Sequence, residues 1–211
     1  MAIPTIHPYA MPTAADLPPN VAGWRPDPGR AVLLVHDLQR YFVEAFPAGS
    51  PPVTELLTNA SALVAVARAR GIPVVYTAQP GGASARERGL LADFWGPGMS
   101  AEPRCRDIVA AVAPRPSDVV IAKYRYSAFH RSPLLDLLGG RDQLVVCGVF
   151  AHIGCLMTVN DALAHDIEAF LVADAVADFS ARHHRMALDY AAGRCAVTLT
   201  TRDVVRCLSA G

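Results

Sequence analysis

Short, continuously apolar runs alternate with segments of helical periodicity along the sequence, and this alternation constrains the fold more than any other feature. A run of strand length that is apolar throughout predicts a strand buried on both faces, as in parallel sheets covered by helices on both sides. The sequence therefore predicts an α/β fold with a doubly wound parallel sheet of about six strands and helices on both faces. The predicted strands are residues 31–36, 72–77, 119–122, 143–149, 169–173 and 196–200.

Helical periodicity and proline content define the rest of the chain. Residues 54–70 show helical spacing, and Gly71 closes this segment as a C-terminal cap. Because proline lacks the N–H donor of an interior helix or strand, the proline-rich residues 1–30 are predicted to form an extended arm on a single domain that spans 1–211. Residues 79–99 are predicted to be a long loop. Further helices are predicted at 105–112, 134–138, 153–165, 182–192 and from 202 onwards.

Polar residues follow several of the predicted strands. In doubly wound sheets, ligands bind outside the carboxyl ends of the strands, and Asp37, Gln79, Lys123 and the segment 148–155 all lie at such ends. We therefore expect these four segments to build one pocket. Alone, an aspartate there commonly caps a turn and a lysine commonly extends to solvent. If Asp37 and Lys123 meet in a cleft, the pair is either a structural ion pair or a proton-handling site.

Composition excludes several functional classes. Lysine plus arginine and aspartate plus glutamate number 19 each, so no basic surface is expected to bind nucleic acid. No apolar stretch approaches the ~20 residues of a membrane span, and the first thirty residues contain no signal-peptide core, which predicts a cytoplasmic protein without a membrane partner. The five cysteines include no C-x-x-C pair and are predicted to be reduced thiols, most of them buried.

Motifs for metals, nucleotides and cysteine nucleophiles are weak. The neighbouring His183 and His184 lack a third ligand at metal spacing, and no glycine pattern forms a dinucleotide fingerprint, so neither a metal nor another cofactor is expected. Cys155 could form a nucleophilic site with His152 and Asp37. His152 precedes it by only three residues, however, and a buried cysteine that packs as a small apolar side chain is the favoured interpretation.

Six ordered blocks of the sequence resemble those of the isochorismatase-type members of the cysteine-hydrolase-like superfamily. They are LLVHDLQRYF (33–42), YTAQPG (76–81), RGLLADFWGPGM (88–99), KYRYSAFHRSPL (123–134), GVFAHIGCLMT (148–158) and DIEAFLVADAVADFS (166–180). The proline-rich arm with Trp24 is also similar to the family's amino-terminal segment, so the resemblance runs nearly end to end. Amidases of the superfamily use an aspartate, a lysine and a cysteine, and that cysteine falls where this chain has Gly154.

The resemblance implies a hydrolase that cleaves the vinyl ether between pyruvate and a cyclohexadiene acid, without an acyl-enzyme or a cofactor. By the same resemblance, Asp37 is the general acid, Lys123 holds its geometry and binds substrate, and Gly154 leaves space. Family members are commonly dimers, which implies a homodimer. The implied substrate-binding residues are Gln79, Arg88, Phe42, Trp95 and Phe150, the last of which replaces a tyrosine that relatives often carry.

Vinyl ether chemistry agrees with this assignment. Protonation of the terminal carbon gives an oxocarbenium ion that water captures, so the reaction requires an acid and does not require a nucleophile. Two influences on the pKa of that acid oppose each other, because Lys123 lowers the pKa of Asp37 whereas a dry pocket raises it.

Two sequence blocks favour one substrate, 2-amino-2-deoxyisochorismate, which would give trans-2,3-dihydro-3-hydroxyanthranilate and pyruvate. YTAQPGG (76–82) and HHRMALDYAAGRCA (183–196) resemble the phenazine-type enzymes, and no carrier-protein domain follows the last helix as it often does in siderophore-type enzymes. Isochorismate, giving 2,3-dihydro-2,3-dihydroxybenzoate, is the alternative substrate.

Two other functions are disfavoured. A cysteine amidase that uses Cys155 is disfavoured because this cysteine is one residue away from the position of the nucleophile. A non-catalytic binding or scaffold protein, which Phe150 in place of tyrosine would favour, is opposed by the retained acid, lysine and substrate-binding residues.

Overall fold

The centre of the molecule is a parallel sheet, which the computed structural model describes together with the rest of residues 3–210. Within that range six strands form the sheet: β1 (Ala31–His36), β2 (Val74–Ala78), β3 (Val119–Ala122), β4 (Gln143–Val149), β5 (Glu168–Ala177) and β6 (Val197–Leu199). Their order is β3-β2-β1-β4-β5-β6, and neighbouring strands are parallel. The chain winds outwards in one direction from β1 and in the other from β4, which confirms the predicted doubly wound sheet.

Helices cover both faces of this sheet. Between residues 3 and 210 the chain forms α1 (Arg40–Val43), α2 (Val53–Ala69), α3 (Ala85–Arg88), α4 (Leu91–Trp95), α5 (Pro103–Arg106), α6 (Leu134–Leu137), α7 (Leu156–Ala164), α8 (Ala181–Arg194) and α9 (Thr201–Ser209). Helices α2 and α9 pack on one face, and α7 and α8 pack on the other. In this part of the chain no helix is long and apolar enough to cross a membrane.

The side chains of β1 alternate between the two apolar cores. Leu33 and Val35 lie in the core on the α2 side, whereas Val32 and Leu34 lie in the core on the α7 side. Because β1 is in the middle of the sheet, both of its faces are buried, and its continuous apolar run follows from that burial.

Strand β3 departs from the expectation that every strand is dry on both faces. It lies at the edge of the sheet beside β2. Val119 and Val120 are 39% and 48% exposed, whereas Ile121 is buried. The apolar sequence of this strand therefore overstates its burial, because an edge strand is covered less completely than a central one.

The predicted loop 79–99 contains two short helices, α3 and α4. Each of them ends at a glycine with positive φ, Gly89 at 52° and Gly96 at 62°. Glycine adopts this backbone conformation at little cost. The glycines that suggested an irregular loop thus end short helical turns within it.

The predicted helix 105–112 is wrong as a single element. Helix α5 ends at Arg106, and a 3₁₀ turn follows at Ala110–Val112. Between them Ile108 forms an antiparallel bridge with Gln39. This backbone pairing requires an extended conformation, and it interrupts the helix.

The elements around β4 and β5 also differ in their limits from the prediction. Strand β5 continues to Ala177, beyond the predicted end at residue 173, and its ladder with β4 shifts register between Val146 and Gly148. The predicted helix 153–165 begins as a π-helical turn, Ala151–Cys155, before α7. Such turns are common at functional sites.

The segment before β1 crosses the body of the protein as an extended arm with one 3₁₀ turn at Ala14–Asp16. Ile6 is buried in the core on the α2 side. The N–H of Asp178 donates to the Tyr9 hydroxyl oxygen at 2.8 Å. These contacts place the start of the arm close to the carboxyl ends of β4 and β5.

Candidate active site

Asp37 directly follows β1, and the end of β2 holds its carboxyl group. Its φ of 50° lies in the left-handed region, which aspartate tolerates better than most side chains. The N–H of Asp37 donates to Oγ1 of Thr77 at 3.0 Å, and the Thr77 hydroxyl donates in turn to Oδ1 of Asp37. This turn at the middle of the sheet leaves Asp37 only 3% exposed.

Lys123 provides the positive charge beside this carboxyl group. It follows β3, and its Nζ lies 2.8 Å from Oδ2 of Asp37, across the end of β2. Nζ also donates to the carbonyl oxygen of Arg125 at 2.9 Å. Nε2 of Gln79 donates to Oδ2 of Asp37 at 3.0 Å. The lysine and aspartate side chains are 2% and 4% exposed. They form a buried ion pair, beside which Gln79 is only partly buried.

Opposing influences act on the pKa of Asp37. Burial raises it, but the charge of Lys123 and the hydrogen bonds from Lys123 and Thr77 lower it, and the net direction is downward. Asp37 is therefore a carboxylate at neutral pH in the environment that its protein neighbours provide. To act as an acid it must first gain a proton, so a ligand has to change the balance within the ion pair.

A pocket opens beside this ion pair. It is lined by all eight residues that the sequence nominated, namely Asp37, Lys123, Gly154, Gln79, Arg88, Phe42, Trp95 and Phe150. Sequence reasoning missed further lining residues, among them Ile3, Tyr41, Arg125, Tyr126, Ile153 and Phe179. Five of these six stand inside the quoted sequence blocks, close to residues that were chosen, whereas Ile3 in the arm carries no such signal.

Aromatic rings form an apolar wall of the pocket. Phe150 is 7% exposed, and its ring centroid lies 5.9 Å from that of Phe42 and 4.4 Å from that of Phe179. The indole N–H of Trp95 donates to the Tyr126 hydroxyl oxygen at 2.7 Å, which orients the indole ring. A wall of this kind suits a cyclic, partly apolar ligand.

Two arginines add positive charge to the pocket lining. Nε of Arg88 donates to a backbone carbonyl oxygen at 3.0 Å, and Nη1 of Arg125 donates to two others at 2.7 Å. These bonds orient the guanidinium groups without neutralising them. The lining therefore carries three cations, Arg88, Arg125 and Lys123, against the single anion Asp37, and it favours an anionic ligand.

The backbone of Gly154 lines the pocket, and a side chain at this position would meet a neighbouring residue. A Cβ atom built on Gly154 would lie 2.2 Å from Cε1 of the His36 ring. That volume is filled by a side chain from the end of β1. The neighbouring Cys155 is fully buried, and burial raises the pKa of its thiol well above the usual value. Such a thiol is inert.

The histidines near the pocket bind neighbouring side chains and backbone. Nδ1 of His152 lies 2.6 Å from Oδ1 of Asp178, and the His152 ring stacks on His183 with a centroid distance of 4.6 Å. Nε2 of His184 lies 2.9 Å from the Ala173 carbonyl oxygen. Among residues 3–210, no three histidine, cysteine, aspartate or glutamate side chains are arranged to hold a metal ion.

Known proteins match this chain along most of its length. The family model described as Isochorismatase domain matches residues 31–203. The isochorismatase of Bacillus subtilis is 56% identical over 97% of this chain and 66% of its own length, so this chain spans about two thirds of that relative. The phenazine biosynthesis protein PhzD of Pseudomonas fluorescens is 54% identical over 96% of this chain and 98% of its own length. Enterobactin synthase component B of Escherichia coli is 45% identical over 97% and 73%.

Solved structures match the fold. A cysteine hydrolase from Pseudomonas syringae pv. phaseolicola superposes with a TM-score of 0.80 at 23% identity, covering 91% of this chain and 98% of the other. At this identity the likeness concerns the fold alone, and it agrees with the parallel sheet and its helices.

Proposed function

Because the chain belongs to the isochorismatase family, we propose that it hydrolyses the vinyl ether of 2-amino-2-deoxyisochorismate. The products are trans-2,3-dihydro-3-hydroxyanthranilate and pyruvate. The observation that carries this proposal is the buried Asp37 carboxyl group, which pairs with Lys123 in a pocket whose wall has a glycine, Gly154, in the nucleophile's place. A vinyl ether needs such an acid and does not need a nucleophile.

The reaction begins with a proton transfer to carbon. Asp37 in its acid form protonates the terminal methylene carbon, and the electrons of the double bond form the new C–H bond. Water captures the resulting oxocarbenium ion, and the proton that this water loses returns to the Asp37 carboxylate. The hemiketal hydroxyl then loses its proton as the carbonyl group of pyruvate forms, the bond to the ring oxygen breaks, and this oxygen takes up a proton. Pyruvate leaves and the ring keeps a hydroxyl group.

The substrate's own carboxylates reverse the balance that keeps Asp37 ionised. They enter a pocket lined by Arg88, Arg125 and Lys123, and a carboxylate that binds Lys123 weakens the interaction of this lysine with Asp37. The added negative charge also raises the pKa of Asp37. Binding thus promotes the proton uptake that catalysis requires.

Gln79 keeps the acid in position. Its backbone is bound on both sides by the Gln39 side chain, since the Gln79 N–H donates to Oε1 at 2.7 Å and the Gln79 carbonyl oxygen accepts from Nε2 at 3.0 Å. The Gln79 side chain then donates to Oδ2 of Asp37. A proton donor held in this way loses little freedom when the substrate binds.

Isochorismate is the second candidate substrate, and it shares the reacting vinyl ether. The identity of 56% to the Bacillus subtilis isochorismatase favours it, whereas the 54% identity to PhzD over nearly its whole length favours the amino compound. These two values do not separate the substrates. Our preference rests on the blocks 76–82 and 183–196, which resemble phenazine-type enzymes.

Pyruvate release by the purified protein tests both parts of the proposal. We expect a higher kcat/KM for 2-amino-2-deoxyisochorismate than for isochorismate, and a clear preference for isochorismate would refute the substrate assignment alone. Asp37→Asn should lower turnover by about 10²- to 10⁴-fold, the usual contribution of a positioned acid, while substrate binding persists. Near-normal turnover in a folded Asp37→Asn protein would refute the mechanism.

We also propose that the protein acts as a homodimer in the cytoplasm, as family members commonly form dimers. Sedimentation equilibrium of the purified chain tests the dimer, and a monomer at micromolar concentration would contradict it.

A further inference from the structure

His36 is a fully buried histidine beside the proton donor that the proposed mechanism does not use. It is the last residue of β1, and its Nδ1 lies 2.9 Å from the Val149 carbonyl oxygen. A carbonyl oxygen can only accept, so Nδ1 carries the proton and donates it. The same nitrogen lies 3.9 Å from Oδ2 of Asp37. The ring is thus fixed between the end of β4 and the catalytic carboxyl group.

The far side of this ring faces Gly154. A Cβ atom on Gly154 would lie 2.2 Å from Cε1 of His36, 2.9 Å from Nε2 and 3.1 Å from Nδ1. The His36 ring cannot move away from a side chain at position 154, because it is 0% exposed and the protein interior is close-packed. Its backbone is held as well, because His36 pairs with Gly148 in the β1–β4 ladder.

Hydrogen bonding alone does not explain a histidine at this place. Nε2 of His36 is buried and makes no hydrogen bond of acceptable geometry. Burial lowers the pKa of His36 to about 4, against smaller raising effects of Asp37 and of the Val149 and Tyr126 backbone, so the ring is neutral at physiological pH. With its proton on Nδ1, Nε2 can only accept, and no donor reaches it. A buried unpaired acceptor destabilises the folded state. The polar contacts of the ring are thus incomplete, whereas its volume is fully in contact with the backbone at Gly154.

We propose that His36 is a specificity-determining residue, whose ring fills the volume that any side chain at position 154 would need. The pocket wall beside Asp37 and Lys123 is therefore bare backbone, and the site is restricted to reactions that need an acid and no covalent intermediate. The link to reaction class rests on the proposed function. The steric claim is independent of it and can be tested without substrate.

A double-mutant cycle between the two positions tests the steric claim. Gly154→Ala should reduce the folding equilibrium constant by about tenfold to a hundredfold, as overpacking of a core does. In a His36→Ala background the same change should cost little, because the ring is gone. Gly193→Ala is the matched control, since a Cβ atom there meets nothing within 4 Å, and its effect should be equal in both backgrounds. Equal losses for Gly154→Ala in both backgrounds, measured by urea unfolding, would overturn the proposal.

A second measurement asks whether removing the ring opens position 154 to the pocket. In the His36→Ala background, Gly154→Cys should give a folded protein whose new thiol displaces iodide from iodoacetamide, forming a C–S bond and releasing iodide and a proton. The buried Cys155 in the same peptide is the internal control and should stay unmodified. If position 154 also stays unmodified, another group closes this wall and the proposal is wrong. Should His36→Ala fail to fold, His36→Ser serves as the background, because serine also lacks the ring. Neither measurement uses a vinyl ether, so failure here is distinct from failure of the proposed function.

Discussion

Replacing Lys123 by methionine isolates the ion pair at the centre of the site. Methionine keeps the apolar stem of the side chain but leaves Oδ2 of Asp37 without the cation that lies 2.8 Å away. Removing one partner of a buried pair typically costs about 3–5 kcal/mol, because the other charge remains buried and unpaired. We expect Lys123→Met to lose stability of this order at neutral pH.

The loss should depend on pH in a defined direction. In the unchanged protein the pKa of Asp37 is lowered, so this group adds stability above the unfolded pKa of about 3.9, and that contribution is lost as the pH falls through the lower folded pKa. In Lys123→Met burial acts without the opposing cation, and the folded pKa of Asp37 rises above the unfolded value. Folding of the variant then takes up a proton, and the stability gap should widen by about 1.4 kcal/mol per pH unit until the pH passes the raised pKa.

Urea unfolding of both proteins at pH 5 and pH 7.5 measures this gap. Arg30→Met is the matched control, because Arg30 pairs with Asp142 at 2.7 Å but the two side chains are 41% and 54% exposed. An exposed pair is screened by solvent, so this control should lose much less stability than Lys123→Met. An equal gap for Lys123→Met at the two pH values would show that Asp37 does not change its protonation state, and would refute the reasoning.

Two further substitutions test the lining of the pocket. Cys155→Ala should keep most of the kcat/KM for pyruvate release, because the thiol is buried and its pKa is raised; a covalent substrate adduct on Cys155 found by mass spectrometry would contradict this. Phe150→Tyr should restore one hydrogen bond to substrate, typically about 0.5–1.5 kcal/mol, and so improve KM or kcat by up to about tenfold. If KM rises and kcat falls, the added hydroxyl collides with the surrounding rings. The inferred hydrogen bond between position 150 and the substrate is then wrong.

The sequence predicts the fold and the position of the site well, because both depend on local patterns. Continuous apolar runs identify central strands such as β1, and a polar residue directly after such a run marks a carboxyl end of the sheet. The family, the fold and the class of enzyme are confirmed. The catalytic and binding roles of Asp37, Lys123 and the other lining residues stay predictions, although the structure brings their side chains together.

The features that the sequence could not predict arise from contacts between segments that are far apart in the chain. The ring of His36 faces Gly154 only because β1 and the turn after β4 approach each other there, and the apolar periodicity of β1 gives no sign of this. Ile3 lines the pocket because the arm folds back over the body, which a proline-rich composition does not specify. The break in the predicted helix 105–112 likewise results from a backbone bridge to a segment far away in the chain.

Strand β3 is an edge strand with exposed side chains, and it leads directly into a residue of the proposed catalytic pair. A short, half-exposed edge strand is where local unfolding starts most easily, yet the residue that follows β3 is Lys123. Local unfolding at the carboxyl end of β3 would move Lys123 away from Asp37 and leave a buried carboxylate without a counter-ion. Local unfolding at the amino end of β3 would not. The charges that we propose for chemistry therefore also stabilise the carboxyl end of this edge strand, and loss of either charge would weaken the sheet at its margin as well as the reaction.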